Sequence, residues 1–253
     1  MRRITISLML AMLTSLAHAQ EIMDTSNAWI GGLVLLSGTS GSSTNGGDVA
    51  LGSLTTQGAF PGDVAVVSCA GSSTSAANDP FPLAGPAGLT ELVDTTNGAT
   101  TARQSTSYVL ATAANVGTAI TCDGSGGAAD ATVGTSLVFR GVNQTTQIDL
   151  TTTTATGSST NPDPASITPV TDSAVVVVSC SSGVSDASPG TVTNYATAAP
   201  GLQSANGNDT GTDQSLATTF RVLANAAAEN AGAWSSWTTG QWVCATVALR
   251  PYK

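Results

Sequence analysis

Three tryptophans near the C-terminus are the residues best suited to contact a ligand. Trp234, Trp237 and Trp242 lie in one short stretch, and aromatic rings on a sheet can stack on sugar rings, so they are candidate carbohydrate-binding residues. Core packing is the favoured interpretation, because aromatic residues make up only 4% of the chain and a β domain needs large apolar side chains. We predict a hairpin turn at 238–241. Alternation along a strand then places Trp237 opposite Trp234, as the ring most open to solvent.

The segment Asn206–Asp213 has a side-chain pattern that resembles a calcium loop. Oxygen-bearing side chains alternate along it, and a glycine stands at its sixth position. An EF-hand also needs a glutamate at the twelfth position, where this chain has Ala217, so an EF-hand is excluded. A looser calcium site that uses Asp209 and Asp213 is one hypothesis, and a solvated hairpin loop is the other.

The residues needed for acid–base or nucleophilic catalysis are scarce. The only histidine, His18, lies in an N-terminal leader, so the mature chain has no Ser-His-Asp or Cys-His couple. Its glutamates are Glu21, Glu91 and Glu229, and nothing in the sequence pairs its aspartates at the separation that a glycosidase needs. The sequence therefore predicts no catalytic residue and no cofactor, and it favours a protein that is not an enzyme.

An internal duplication provides the elements that position these residues. The pentapeptide Gly-Ser-Ser-Thr-Asn occurs at 41–45 and again at 157–161, and each copy leads to a strand that ends in Val-Ser-Cys. Further matches follow in the same order, so the duplicated unit is about 110 residues long. Each copy ends its last strand with an arginine, Arg140 or Arg250, which we expect to pair with a carboxylate or to cap loop carbonyls.

Short β-branched and aromatic runs bounded by Gly, Pro, Asn and Asp indicate strands throughout the chain. They predict an all-β fold of two tandem, closely packed β-sandwich repeats, jelly-roll-like or immunoglobulin-like, at 20–145 and 146–253. The junction at 142–155 contains no Pro or Gly and resembles a strand, although the sequence leaves open whether the repeats form one body.

The central strand of each repeat carries valines at alternate positions. Val64, Val66, Val175 and Val177 are expected to face the core, because alternate residues of a strand share a face. Their neighbours in the chain are also apolar, so the alternative is a strand that is buried on both faces.

The chain has four cysteines, which are Cys69, Cys122, Cys180 and Cys244. An even number of cysteines in an exported chain indicates disulfides, and the preferred pairing is Cys69 with Cys122 and Cys180 with Cys244. The two other pairings stay open, as do free buried thiols. A zinc site is not supported, because the chain has no CxxC pair and the mature chain has no histidine to complete a site.

The first 19 residues have the features of a secretory signal peptide. Arg2 and Arg3 precede an apolar run at 4–16, and Ala17-His18-Ala19 fits the rule for cleavage before Gln20. An uncleaved membrane anchor is the alternative, but the apolar run is too short to span a bilayer as a helix. The sequence therefore predicts an exported mature protein at the cell exterior, the cell surface or the periplasm, with no membrane span.

The composition limits the partners of the mature chain. Removal of residues 1–19 leaves five basic residues against 16 acidic ones, a net charge of about −11. Such a surface repels phosphate backbones, and the chain has no basic cluster, so nucleic-acid binding is excluded. A protein or glycan surface is the expected partner, and homo-oligomers stay open.

Four segments carry a resemblance to a known group of proteins. They are 86–92, 137–142, 155–164 and 241–251, with the sequences PAGLTEL, LVFRGV, ATGSSTNPDP and QWVCATVALRP. Together they resemble uncharacterised proteins of tailed phages and phage-bearing bacterial genomes. The resemblance covers most of residues 30–251 and implies a β-sandwich associated with a virion or tail, but its strand-and-turn motifs specify no ligand.

Two functions follow as hypotheses. The first is a non-catalytic structural or adhesive protein, extracellular or on a virion, that presents loops such as Asn206–Asp213 and 94–101 to a partner surface. The alternative is a carbohydrate-binding module or an accessory protein of polysaccharide degradation. The leader favours a secreted or surface-displayed protein as much as a virion component.

Overall fold

The computed structural model describes residues 33–71, 82–97, 102–124, 130–184, 190–209 and 213–252. These residues form strands, turns and irregular segments, and none of them lies in a helix. Consequently no helix in the described ranges is long and apolar enough to cross a membrane. The predicted signal peptide lies outside the described residues.

Repeat 1 contributes eight strands among the described residues. They are β1 (Val34–Ser43), β2 (Val49–Ser53), β3 (Val64–Gly71), β4 (Pro82–Ala84), β5 (Thr90–Asn97), β6 (Ala102–Leu110), β7 (Ala119–Cys122) and β8 (Thr132–Arg140). Repeat 2 contributes five. They are β9 (Ile148–Ser159), β10 (Val175–Ser182), β11 (Gln203–Gly207), β12 (Gln214–Val222) and β13 (Gly240–Leu249).

The two repeats build five-stranded antiparallel sheets with the same strand order. Repeat 1 has the order β1-β8-β3-β6-β5, and repeat 2 has the order β9-β13-β10-β12-β11. Each strand of one sheet therefore has a counterpart in the other, from β1 with β9 to β5 with β11. The predicted all-β fold, a duplicated and closely packed β-sandwich, is confirmed. Residues Leu33–Tyr252 pack as one compact unit. The two repeats therefore form one body, a point that the sequence of the junction left open.

Both central strands are buried on both faces. Their runs of β-branched residues suit a strand between two packed layers. Val64 and Val66 of β3 lie against Val175 and Val177 of β10 in a core that both repeats share. We call this the inter-repeat core; it also contains Leu33, Leu137, Phe139, Val142, Val247 and Leu249. The four valines face a core, as predicted, and the strands are buried on their other face as well, as the alternative held.

The other face of each sheet packs on an outer layer of its own repeat. In repeat 1 this layer includes the three-stranded sheet β2-β7-β4, and Ala65 and Val67 face it within a separate core. In repeat 2 the described residues of the outer layer form no such sheet. There Val176 and Val178 of β10 pack against side chains from the irregular segments that flank the strands.

The two five-stranded sheets face each other with pseudo-twofold symmetry. β1 lies against β11 as β9 lies against β5, and β8 lies against β12 as β13 lies against β6. Each of these strand contacts is thus matched by one in which the repeats exchange roles, as in an isologous dimer interface. The ends of the two last strands meet, because Val142 and Pro251 form an antiparallel bridge. β3 and β10 therefore start at the same end of the molecule, which we call the exit end.

Both disulfides lie within a repeat, as predicted. Cys69–Cys122 joins β3 to β7 in the outer layer of repeat 1, and Cys180–Cys244 joins residues that face each other on β10 and β13. Cys122 and Cys244, the second cysteines of the two disulfides, do not occupy equivalent positions in the two repeats. The register pairs Cys69 with Gly134, so Gly134 is the counterpart of Cys244.

Candidate functional site

Exposed large apolar side chains gather at the exit end. In the ranges that the structure covers, they are Phe60, Leu150, Val170, Val222 and Tyr252. Phe60 and Val170 precede the central strands, Val222 ends β12, Tyr252 follows β13, and Leu150 lies near the start of β9. Because these side chains lie at one end of the molecule, we treat them as a candidate contact surface.

Arg140 and Asp63 form a two-point ion pair at this end. Arg140 Nε donates to Asp63 Oδ1 over 3.0 Å, and Nη2 donates to Oδ2 over 2.9 Å. The Asp63 side chain is 4% exposed and that of Arg140 is 49% exposed. The hydrogen bond to Asp63 raises the pKa of Arg140, although burial acts in the opposite direction. The predicted pairing of Arg140 with a carboxylate is confirmed.

Phe60 completes this group from the loop before β3. Its backbone N–H donates to Asp63 Oδ2 over 2.7 Å, and the guanidinium carbon of Arg140 lies 5.3 Å from the centre of its ring. This distance is within the range of a cation–π interaction. The Phe60 ring stays 65% exposed, so it is available to a partner.

A cleft of about 290 Å³ opens beside this group. Its walls include Pro61, Gly62, Arg140, Gly141, Gln144 and Tyr252. Gly62 has a φ of 99°, where a side chain is strained. A Cβ at Gly62 would also lie 2.7 Å from Gln144 Nε2, so a side chain at this position would displace the Gln144 amide from the wall.

Arg250 has a structural role at the corresponding position of repeat 2. Its Nε donates to Asp149 Oδ1 over 2.9 Å, and the Asp149 side chain is fully buried. Burial disfavours the carboxylate, but hydrogen bonds from the Thr171 hydroxyl, the Val170 N–H and Arg250 outweigh it and lower the pKa of Asp149. The predicted carboxylate pairing is confirmed for this arginine too.

Two further ion pairs tie arginines to acids within each repeat. Arg103 pairs with Asp94, and Arg221 pairs with Glu229 over 2.9 Å. Tyr195 is buried near the second pair, and its burial, together with the charge of Glu229, raises the pKa of its hydroxyl. These charged groups stabilise the fold locally, and none of them lines the cleft.

The three tryptophans lie in the outer core of repeat 2. Trp234 is 0%, Trp237 3% and Trp242 7% exposed, and the rings of Trp234 and Trp237 meet edge to face at 5.8 Å. No ring face is open for stacking on a sugar, so core packing is the correct interpretation and carbohydrate binding by these residues is not. The predicted hairpin turn at 238–241 is also wrong, because Gly240 already belongs to β13 and residues 231–239 form no strand.

The predicted calcium loop instead joins the two repeats. The Asp209 carboxylate accepts the Asn45 N–H, and Asp213 Oδ1 accepts the Asp209 N–H over 2.9 Å. The equivalent hairpin of repeat 1 reaches across in the same way, since Asn97 donates from Nδ2 to Gly157 O. Residues 98–101 and 210–212 of these hairpins lie outside the described residues. Among the residues that the structure does describe, no three His, Cys, Asp or Glu side chains come together to hold a metal ion.

Sequence reasoning missed the aromatic residues of the exit end. Phe60 stands in the turn sequence Phe60-Pro-Gly-Asp63, and an aromatic residue in a turn is the signal that could have drawn attention to it. Tyr252 gives no such signal, because only the fold shows that the end of β13 meets residues 140–144.

Comparison with known proteins adds no family assignment. No protein-family model matches this chain, and no curated protein is significantly similar to it.

Proposed function

We propose that this protein is a non-catalytic, exported structural or adhesive module that contacts a partner surface through the exit end. The partner surface belongs to a cell or to a virion. The observation that carries the proposal is the gathering of the exposed large apolar side chains, Phe60 and Tyr252 among them, at this one end.

The ion pairs of the arginines are consistent with a non-catalytic role. Each arginine of the described residues pairs with a carboxylate of its own repeat, so these groups hold the fold together. Two disulfides and a shared core add resistance to unfolding, which suits a protein that works in an oxidising exterior.

Attachment to intact cells tests the contact surface. Labelled residues 20–253 are incubated with a panel of intact bacterial cells and immobilised virions, and the retained fraction is measured after washing. We expect the double variant Phe60→Ser, Tyr252→Ser to lose about tenfold in retention, because aromatic anchors dominate such contacts. Thr154→Ala, on the exposed part of β9, is the matched control and should be retained like the wild type.

Two results would contradict the proposal. One is retention that the double variant does not alter, or no retention on any surface, virions included. The other is turnover of a polysaccharide or peptide by the purified protein that a single aspartate substitution abolishes without unfolding the chain.

Export is tested separately from binding. Expression of the full chain should yield a secreted protein that begins at Gln20 and contains both disulfides. Intact-mass measurement before and after reduction reports both features. A cytoplasmic protein that keeps residues 1–19 would contradict the exported location.

A further inference from the structure

We propose that the cleft beside Arg140 binds a neutral saccharide, with one sugar ring stacked on Tyr252. The inference rests on the proposed function, because it names the ligand class that the exit end contacts. It concerns a different site from the three tryptophans, whose rings are buried.

The charge of the cleft favours an uncharged ligand. The Asp63 carboxylate neutralises Arg140 through the two-point ion pair. A cationic ligand would have to displace Arg140 from a buried carboxylate, which leaves a charge unpaired and is costly. An anionic polymer would meet a mature chain with a net charge of about −11, which repels it.

Tyr252 provides the apolar contact. It is 62% exposed and lines the cleft. A sugar ring has C–H groups on its faces, which pack on an aromatic ring, and hydroxyl groups around its rim, which need hydrogen-bond partners. Phe60 lies next to the cleft and extends this aromatic surface, although Arg140 covers part of its ring.

The polar walls provide partners for hydroxyl groups. A guanidinium has five N–H donors, and the ion pair with Asp63 uses two of them, so the half-exposed Arg140 can donate to a ligand. The Gln144 amide adds a donor and an acceptor on the same wall. A purely apolar ligand, such as a lipid chain, would leave these groups without partners, which disfavours it.

The size of the cleft also fits this class. A volume of about 290 Å³ lies just below the range of ligand pockets, which is roughly 300–1,000 Å³. The cleft therefore accommodates one or two sugar rings, and the rest of a longer glycan would extend over the exposed exit end.

Titration with defined sugars tests the inference. The probes are neutral hexasaccharides of glucose, galactose, mannose and N-acetylglucosamine, and hexagalacturonate is the acidic comparison. Calorimetry and saturation-transfer NMR measure the binding of each sugar. We expect at least one neutral sugar to bind residues 20–253, Tyr252→Ala to weaken it about tenfold, and Tyr252→Phe to retain most of the affinity. Gly62→Ala should also weaken it, because the new Cβ displaces Gln144.

The control is Thr154→Ala, which changes an exposed residue of β9 that neither lines the cleft nor belongs to the exposed apolar group of the exit end. It should bind the sugar like the wild type. The inference is overturned if no neutral sugar binds, if Tyr252→Ala binds equally well, or if only hexagalacturonate binds. If the protein attaches to cells through Phe60 and Tyr252 but no sugar binds, the saccharide inference fails while the proposed function stands.

Discussion

A single glycine explains why the two disulfides have different partners. Gly134 is the structural counterpart of Cys244, and a Cβ at Gly134 would lie 2.6 Å from Cys122 Sγ. In repeat 1 the Sγ atom of Cys122, which belongs to the outer layer, occupies the space above Gly134. In repeat 2 the second cysteine, Cys244, lies on the sheet strand at the equivalent position. The repeats place a buried disulfide at the same point of the sheet by two routes.

Gly134→Ala should destabilise the protein by about 1–3 kcal/mol, because it overpacks a buried site. Its methyl group would press on Cys122 Sγ and lie 3.3 Å from the two methyl carbons of Leu51. Gly117→Ala is the matched control, since a Cβ there meets nothing within 4 Å. Urea unfolding under non-reducing conditions measures both variants, and equal midpoints would show that the space above Gly134 is not limiting.

The Asp149 carboxylate should make stability depend on acid pH. Its pKa is lowered in the folded state, so its stabilising effect is complete above the unfolded value, about pH 4, and is lost as the pH falls through the folded value. At neutral pH, Asp149→Asn should cost about 2 kcal/mol, because charge-assisted hydrogen bonds are lost. The gap to the wild type should narrow below pH 4 in urea titrations. Exposed Asp163→Asn is the control, and a gap that does not vary with pH would contradict the role of the charge.

The tryptophans show where inference from single residues stops. Strand spacing suggested that Trp234 and Trp237 alternate across a hairpin, but the segment that carries them has no partner strand. It fills the position that the connection with β7 occupies in repeat 1, because both segments link the last two strands of the repeat pattern and cover the outer face. The composition indicated that these rings were needed for a core. Only the tertiary structure shows that this is the outer core of repeat 2.

At the scale of elements, a buried polar layer crosses the interface of the two sheets. Thr218 Oγ1 lies 2.8 Å from Ser179 Oγ within repeat 2 and 2.7 Å from Thr135 Oγ1 of repeat 1. The same hydroxyl pair recurs in repeat 1, where Ser68 Oγ lies 3.2 Å from Thr106 Oγ1. Buried hydroxyl groups must find partners, so this layer favours one alignment of the two sheets over alternatives.

Thr218→Val should therefore cost about 1–3 kcal/mol, although it preserves the shape of the side chain, because it leaves buried hydroxyl groups without a partner. The triple variant Thr218→Val, Thr135→Val, Ser179→Ala removes the whole group and should recover much of that stability. Thermal and urea unfolding compare the three proteins. A triple variant that is less stable than Thr218→Val by the sum of the added substitutions would refute the polar-partner explanation.

The strands were the part of the fold that the sequence predicted well. Duplicated landmarks and alternating valines identified β3, β10 and the last strand of each repeat. A pattern that occurs in both copies supports the same strand assignment twice. The outer layers were not foreseen, because β2, β4 and β7 are short and the outer layer of repeat 2 is irregular, with neither periodicity nor a repeat partner. The cleft of the exit end was not predicted either, since it forms only where residues 61–63, 140–144 and Tyr252 meet.

At the scale of the whole molecule, the chain is an intramolecular dimer. The inter-repeat core draws Val64 and Phe139 from one repeat and Val175 and Leu249 from the other, and its sheet contacts obey the pseudo-twofold relation. One sheet without its partner would expose that entire apolar face to water. Each repeat has an outer core and a disulfide of its own, but the inner face of its sheet is buried only against the other repeat.

Separated repeats should consequently need each other to fold. Residues 20–145 and 146–253, produced as two chains in an oxidising compartment, are expected to co-purify as a one-to-one complex, because joining them only removes the entropy cost of association. Each chain alone should aggregate or self-associate through its exposed sheet. Size-exclusion chromatography with light scattering measures the masses, and Val177→Asp in the second chain, a charge in the inter-repeat core, should abolish the complex. A stable, soluble monomer of either repeat would show that the shared core is dispensable.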